Sequence, residues 1–515
     1  ETLFCARDHM GVKPFYYYMN ENKFLFATEI KVFFTILKND PTINELKIAL
    51  YLKNVRTNNV LTFYNNVYRL SAANSITIGC KNKSGRNYWK LDPDSSILLD
   101  TDEEYFKTFR EIFSLAIRCR LRSAFPIGYD LSGGLDSSSI VCVAKEILNA
   151  NNSNLKKINT FSQIYDDFPE SDERYYIEKV IATGGIESNL IKCDKISPLD
   201  EIDTILEFQD QPFHRPFLSI LWNMYKEMQK NKIRVHFSGN GGDVIISHGD
   251  QYFVELFASL KWKTLIEELT FFSNNNNTNS LTEFLSKVVF PLIPQQFKRL
   301  FSFVWFYLQK CFFSHEITIG NPKHLINQKF GEKTNINNYS NEAIWNPKKK
   351  SNASKVAHYN SIFAIPEQES FEIMDITSAA FSIEPRFPYY DKRLIEFCYS
   401  IPSNLKFRKG WDRYIQRMSM DKILPPTVQW RSGKAHLIPF LIKNLILFEK
   451  NRLNKMIEKH GHIERYVNLD VLNNIYREYQ KNHNIEYVHV YQLWKVIILD
   501  SWFRKIKKSK KNHLQ

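Results

Sequence analysis

The chain is 515 residues long, 43% hydrophobic and 24% charged, proportions that exclude wholesale disorder and leave room for roughly two to four domains. Its formal charge of +14 suits an anionic partner such as nucleic acid, a membrane surface or ATP, but bulk charge speaks of association and selects no chemistry. Part of it is local: 348–350 and the tail 504–511 read as solvated basic segments, with RNA or membrane contact as the alternative.

Up to about residue 91, short aromatic and β-branched runs at 15–18, 60–64 and 75–78 predict the strands of a β-rich layer. Residues 103–122 take up a helical apolar period. An apolar strand over 126–131 then ends in Ser132-Gly133-Gly134, with a helix expected over 138–148. Further strands are expected at 158–164, 189–193 and 234–237, alternating with helices near 173–182 and 218–230. Such alternation predicts a parallel α/β sheet, whose ligands bind beyond the carboxyl ends of the strands.

The region 252–352 differs in composition from its flanks and reads as a helical insertion. Within it, SNNNNTNS at 273–280 reads as a low-complexity loop, and Phe301, Phe303, Val304 and Phe306 as a helix core rather than a partner face. The expected domains are a β-rich unit over 1–91 and an α/β unit over 100–515. Seven scattered cysteines (Cys5, Cys80, Cys119, Cys142, Cys193, Cys311 and Cys398) form no CxxC pair, which favours a reducing cytoplasm without structural zinc. Residues 1–8 carry no export-signal pattern, and the greasiest run, 300–308, is shorter than the about 20 apolar residues of a membrane span.

The strongest chemical signal is Ser132-Gly133-Gly134-Leu135-Asp136-Ser137-Ser138 between strand and helix. Glycines let backbone N–H groups approach a polyphosphate, serines add hydroxyl donors, and the helix presents its positive end. Asp136 is then the natural magnesium ligand beside the cradle. The plain alternative is a capped glycine turn. The spacing is not that of a GxxxxGK[ST] loop. A second glycine-rich turn, Ser238-Gly239-Asn240-Gly241-Gly242-Asp243, closes another strand and delivers Asp243 as a candidate second magnesium ligand, since two carboxylates together call for a cation.

The first of these segments resembles the PP-loop of the ATP-pyrophosphatases, which cleave ATP between its α and β phosphates. The second resembles the SGxGGD segment of the asparagine synthetase family. Glu384-Pro385-Arg386-Phe387-Pro388-Tyr389-Tyr390-Asp391 is similar to that family's EARVPFLD, and 406–434 to its KIRxGxxKYxLRxAxxxxLPxxVxxRxxK. The resemblance implies an α/β PP-loop synthetase domain with ATP and magnesium at Leu131, Ser132, Gly133, Gly134, Asp136, Ser137, Ser138, Ser238 and Gly239. It places the adenine pocket near Thr160-Phe161-Ser162, with Ser162 as a candidate contact. Asp172-Glu173 resembles the family's DExxYA and could hold the nucleotide, or simply cap a helix.

By the same resemblance, Glu384 is the candidate that orients or deprotonates the attacking nitrogen, unless it serves as an ion pair to Arg386. Lys434 would stabilise charge at the α-phosphate and tetrahedral carbon, unless it is an ordinary surface lysine. Arg7-Asp8-His9-Met10-Gly11-Val12-Lys13-Pro14-Phe15-Tyr16-Tyr17 resembles the late ARDxxGxKPLYY segment of the glutaminase domain, and Asn87-Tyr88-Trp89 its junction. The sequence starts at Glu1 rather than at the family's nucleophilic cysteine, and Cys5 reads as packing, so the given chain is expected not to hydrolyse glutamine.

These features predict an asparagine-synthase-type amide synthase that makes an acyl-adenylate, then an amide, AMP and pyrophosphate. The carboxylate would come from a small molecule or a peptide. The nitrogen would be ammonia, glutamine-derived nitrogen or an internal amine. Asn240 and Val244 stand where the family carries acidic residues, and GWDRY and WRSGK lean toward the ring-closing relatives, lasso-type macrolactam and β-lactam synthetases. A tRNA-modifying PP-loop enzyme rests on charge alone and conflicts with the ARD-type and EPRFPYYD segments; no nucleic acid is expected. A non-catalytic protein keeping the fold is the alternative of another class.

Overall fold

The computed structural model describes residues 2–37, 42–56, 60–79, 82–150, 158–247, 249, 251–293, 325–341, 344, 353–458, 462–481 and 486–512. Among them, β1 (Thr2–Ala6), β2 (Tyr16–Met19), β3 (Phe24–Ala27), β4 (Val67–Arg69), β5 (Asn74–Gly79) and β6 (Lys83–Asn87) form two antiparallel sheets, ordered β1-β5-β6 and β3-β2-β4. The strand expected at 60–64 does not form; only the isolated bridges Leu61↔Tyr68 and Ile43↔Tyr64 do. Thr62 is the reason. Its hydroxyl donates to the carbonyls of Tyr64 (3.0 Å) and Val67 (2.7 Å), a local turn that competes with a ladder. Cys5 is buried among Tyr17, Leu70 and Ile76, as packing requires.

The central sheet contains β7 (Ile127–Asp130), β8 (Ile158–Ile164), β9 (Ile186–Lys192), β10 (Val235–Phe237) and β11 (Glu384–Arg386). All are parallel, in the order β11-β10-β7-β8-β9. The chain steps outward from β7 to β9, then returns to lay β10 on the other side of β7. Connections therefore leave β7 and β10 in opposite directions, which opens a crevice at their carboxyl ends. Both glycine-rich turns begin there. β9 starts three residues before its expected position, directly after the Gly184-Gly185 turn.

The helix after β7, Leu135–Ala150, also starts three residues early, inside the motif itself. The Ser138 N–H reaches the Gly134 carbonyl at 3.1 Å, and Asp136 in the first turn suits the positive helix end. The helix Asp102–Arg120, closed by a Thr101/Glu104 capping box, packs with it through Phe109, Phe113 and Ile140 against Tyr129 and Phe237. Phe161 and Ile233 belong to the second core. There they meet the helix Leu218–Lys230 and the last helix, Tyr487–Asn512, with its fully buried Trp494 and Trp502.

The tail is not simply a solvated basic segment. It continues the last helix, where Arg504 pairs with Asp500 (2.8 Å) and Lys505 donates to the Leu206 carbonyl (2.6 Å). The stretch 252–352 contributes the helices Tyr252–Ala258, Trp262–Asn276, Ser280–Phe284 and Gln328–Lys333. SNNNNTNS is half helix rather than loop. Asn277 ends one helix in the left-handed region, and the Asn279 side chain caps the next by accepting from Leu281 N. The run 300–308 with Phe301, Phe303, Val304 and Phe306, together with Cys80, Cys311 and 348–350, lies outside the described residues. No described helix is long and apolar enough to cross a membrane.

The helix Ile365–Ala379 carries a row of ion pairs between the amino-terminal part and the α/β part. Glu369, Glu372 and Asp375 stand three apart along it. Lys47 meets Glu369 (2.8 Å), Lys13 meets Asp375 (2.6 Å), and Glu372 takes Arg7 (3.0 Å), Arg69 (2.7 Å) and the Tyr16 hydroxyl (2.8 Å). Burial opposes ionisation of Glu372, but the two guanidiniums hold its carboxyl below the ordinary range.

Candidate active site

The turn after β7 folds on its own serines. Ser132 N and Oγ lie 3.1 and 3.0 Å from Ser137 Oγ, and Gly134 N donates to Ser132 Oγ at 3.3 Å. This wraps the chain around the amino end of the helix Leu135–Ala150, the place where backbone N–H groups and the helix dipole favour an anion. The turn after β10 is pinned by Ser238 N donating to the Arg386 carbonyl (3.0 Å) and by Asn240 N donating to Ser238 Oγ (3.3 Å).

The two turns touch. A Cβ built on Gly242 would stand 2.3 Å from Asp136 Cγ, and one on Gly241, whose φ is +97°, would stand 2.2 Å from the Tyr390 ring. Only glycine lets Asp136 and the EPRFPYYD segment approach so closely.

Asp136 and Asp243 converge on one cation. Arg413 Nη1 lies 2.7 Å from Asp136 Oδ2 and 2.6 Å from Asp243 Oδ1, and Lys434 Nζ lies 3.1 Å from Asp243 Oδ2. Burial pushes Asp136 up to about 6; Arg413 opposes the shift and Asp243 adds to it. Asp136 Oδ1 is buried without a hydrogen-bond partner. That orphaned oxygen and a second carboxylate nearby fit magnesium. No group of three or more His, Cys, Asp or Glu suited to a metal occurs among the described residues, so further ligands would have to be phosphate oxygens or water, as is usual for this ion.

A cavity of about 570 Å³ opens over these groups. On one side Arg431 pairs with Glu173, donates to the Gly133 carbonyl (3.3 Å) and lies 4.0 Å over the Tyr176 ring. The far wall is largely apolar, with Phe217, Leu218, Leu221, Met224 and Met374 beside His214 and Arg215. Burial lowers His214 to about 4 although Glu369 lies 3.1 Å away.

Leu131, Ser132, Gly134, Asp136 and Ser137 from the first turn line this cavity, and Ser238, Gly239 and Asp243 join them from the second. Lys434 is also in the wall, solvent-exposed. Four of the expected residues are placed elsewhere. Gly133 forms the turn, with its carbonyl engaged by Arg431. Ser138 is fully buried in the helix. The Ser162 hydroxyl donates to the Leu131 carbonyl at 2.6 Å, so it braces the cradle from beneath.

Glu384 opens β11 level with Val235, about 7 Å below the carboxyl end of the strand at two residues of rise, and Arg386 grips both its oxygens (3.2 and 3.0 Å). The ion pair raised as its alternative is what forms, and Arg386 keeps the Glu384 carboxyl below its ordinary range. Asp172 accepts from Tyr165 N (3.1 Å), whereas its neighbour Glu173 reaches the cavity.

Sequence reasoning passed over Arg413, which occupies the position of the lysine in the family's KYxLR; a cation at that point was the available signal. Arg431 and Asp130 were also passed over. Asp130 lines the cavity and meets the buried His236 at 2.6 Å.

Residues 108–504 match the family model described as asparagine synthase, and residues 1–89 match a glutamine amidotransferase domain. A Methanocaldococcus jannaschii protein provisionally named asparagine synthetase (glutamine-hydrolysing) 2 is 29% identical over 47% of this chain and 46% of its own length. Asparagine synthetase (glutamine-hydrolysing) 1 of Bacillus subtilis is 24% identical over 97% of this chain and 75% of its own. The amidase chry2 of Gibberella zeae is 21% identical over 85% of this chain and 68% of its own. The chain thus spans about half the length of the archaeal relative and three-quarters of the bacillar one.

Proposed function

The chain belongs to the asparagine synthase family of ATP-using carbon–nitrogen ligases, and from that membership we propose that it activates a carboxylate as an acyl-adenylate and passes the acyl group to nitrogen. One observation carries this reading: two glycine-rich turns on neighbouring parallel strands bring Asp136 and Asp243 to a shared cation at the mouth of a helix amino end.

The hydroxyls of Ser132, Ser137 and Ser238, with the N–H groups at the start of the helix Leu135–Ala150, hold the departing pyrophosphate. Asp136 and Asp243 would hold magnesium, which when bound neutralises phosphate charge. Arg413 and Lys434 supply positive charge beside the α-phosphate. As the substrate carboxylate attacks phosphorus, they stabilise the charge that builds there. Closure of the acyl–phosphate bond releases pyrophosphate. The nitrogen lone pair then attacks the acyl carbon, the bond to AMP breaks, and an amide leaves with AMP.

The amidotransferase match at 1–89 supports glutamine-derived ammonia as the nitrogen donor. Aspartate is the first carboxylate to test. The apolar far wall of Phe217, Leu218, Leu221, Met224 and Met374 favours a second reading, in which a larger or peptide carboxylate meets an internal amine.

Magnesium-dependent ATP–pyrophosphate exchange separates these. Exchange that needs aspartate supports asparagine synthesis. Exchange with a peptide carboxylate alone supports the second reading, and no exchange with any carboxylate defeats both.

A further inference from the structure

β7 ends at Asp130, two residues and so about 7 Å before the serine cradle. Its carboxylate lies in the cavity wall and keeps 26% of its side-chain surface exposed. Behind it runs a buried chain of hydrogen bonds. His236 Nε2 lies 2.6 Å from Asp130 Oδ1, and the Tyr225 hydroxyl lies 3.2 Å from His236 Nδ1. His236 and Tyr225 are fully buried, on β10 and on the helix Leu218–Lys230. His236 stands in register with Gly128, two residues before Asp130, so the imidazole and the Asp130 carboxylate leave the same face of the sheet.

The chain takes its direction from its outer end: a carboxylate accepts, so the imidazole facing Asp130 carries its proton on Nε2 and donates to Oδ1. Nδ1 is then the acceptor for the Tyr225 hydroxyl, which burial keeps protonated. This fixes the carboxylate and leaves Oδ2 for the cavity.

The other acids of the wall are engaged by permanent cations: Asp136 and Asp243 by Arg413, and Glu173 by Arg431. Asp130 faces a histidine instead. An incoming amine or ammonium is repelled by Arg413, Arg431 and Lys434 and drawn to this carboxylate. Glu384 is gripped by Arg386 at the lower end of β11.

We propose that Asp130 is the base that docks the nitrogen nucleophile and takes its proton, with His236 and Tyr225 as positioning residues. This rests on the amide-synthase reading above. In the step, Asp130 Oδ2 takes a proton from ammonium, the freed nitrogen lone pair forms the C–N bond, the acyl carbon–oxygen bond breaks with its electron pair leaving on AMP, and the second proton, shed by the new amide nitrogen, passes to water.

The test compares nucleophiles on Asp130→Asn, with aspartate or a short peptide as carboxylate, whichever supports exchange in the unaltered protein. Adenylate formation, read as ATP–pyrophosphate exchange, should stay within about threefold, while amide formation from ammonium chloride falls about 100-fold or more. Hydroxylamine, already deprotonated at neutral pH, should still yield the hydroxamate. His236→Phe should weaken the ammonium reaction selectively, and His236→Gln, which keeps an N–H donor, should recover part of it.

Equal loss of exchange and amide formation would overturn the assignment, since Asp130 would then serve the nucleotide or acyl group. So would ammonium turnover that is unchanged, or hydroxamate formation lost in step with the amide. An unaltered protein silent in exchange with every carboxylate would defeat the amide-synthase reading itself, and this assignment with it.

Discussion

Gly242→Ala is a small change with a large expected effect. The new methyl would stand 2.3 Å from Asp136 Cγ and 2.5 Å from its Oδ1, where non-bonded carbons ordinarily sit about 3.5–4.0 Å apart. Gly242 is the first residue of a short helix and lies outside the left-handed region, so alanine suits its backbone and the strain is purely one of approach. The Asp136 carboxylate must retreat by more than about 1 Å, breaking its 2.7 Å contact with Arg413. A displacement of that size costs about 100-fold in a positioned reaction, or about 2.7 kcal/mol. Overpacking adds about 1–3 kcal/mol of lost stability. Calorimetric titration with magnesium–ATP, ATP–pyrophosphate exchange and a thermal melt would read these effects. Gly85→Ala, whose Cβ meets only Ser75 O at 3.6 Å, is the control and should be silent. Gly242→Ala binding and exchanging within about threefold of the unaltered protein would refute the argument.

Asp391 caps the helix Lys392–Ser400 through Arg393 N and pairs with Arg393 and Arg120. Burial opposes its charge, but the arginines hold it down at about 2. Because this lies below the ordinary carboxylate value, the pairs stabilise the fold above about pH 4, by about 2 kcal/mol, and the contribution is lost as pH falls toward 2. Asp391→Asn should therefore lose about 2 kcal/mol in neutral urea unfolding and converge on the unaltered protein in strong acid, whereas Asp391→Ala should lose about 1 kcal/mol more as the cap goes and keep that smaller deficit in acid. Glu372→Ala strands Arg7 and Arg69 in the interior and should cost about 3–5 kcal/mol by the same measurement; an unchanged midpoint would mean the cluster is not load-sharing. Ser138→Ala removes a buried hydroxyl that has no hydrogen-bond partner, so magnesium–ATP affinity should hold and the melting temperature stay or rise. Ser137→Ala should weaken binding.

Much of the sheet could be read from patterns of apolar residues. Strand β8 and the helix Leu218–Lys230 have the bounds expected of them, because their apolar periods are complete. β11 escaped notice: three residues containing Pro385 are too short to show a period, and an edge strand tolerates proline. The helix after β7 began early because Gly134 accepts from Ser138 N, a bond set by the turn and not by composition. Asp136 and Asp243 were marked by the glycines beside them. Arg413 carried no such mark, and it reaches them from a left-handed residue far along the chain. Glu384 was assigned by resemblance, whereas its place depends on register: it lies at the start of its strand, and Arg386, two residues on, folds back to hold it.

The row of acids on the helix Ile365–Ala379 bears on any attempt to express the α/β part alone. A fragment beginning at residue 100 would leave behind Arg7, Lys13, Lys47 and Arg69, and with them every salt-bridge cation described above for Glu372 and Asp375. Three carboxylates would then repel one another along one and a half turns of helix, and neutralising them would relieve the fragment. The intact protein loses the Glu372 contribution in acid, whereas at this helix the fragment would gain from mild acid. Trimming at that boundary would reverse the sign of a local pH response without touching the cavity, so the amino-terminal sheets act as the counter-ion shell of the domain they sit on.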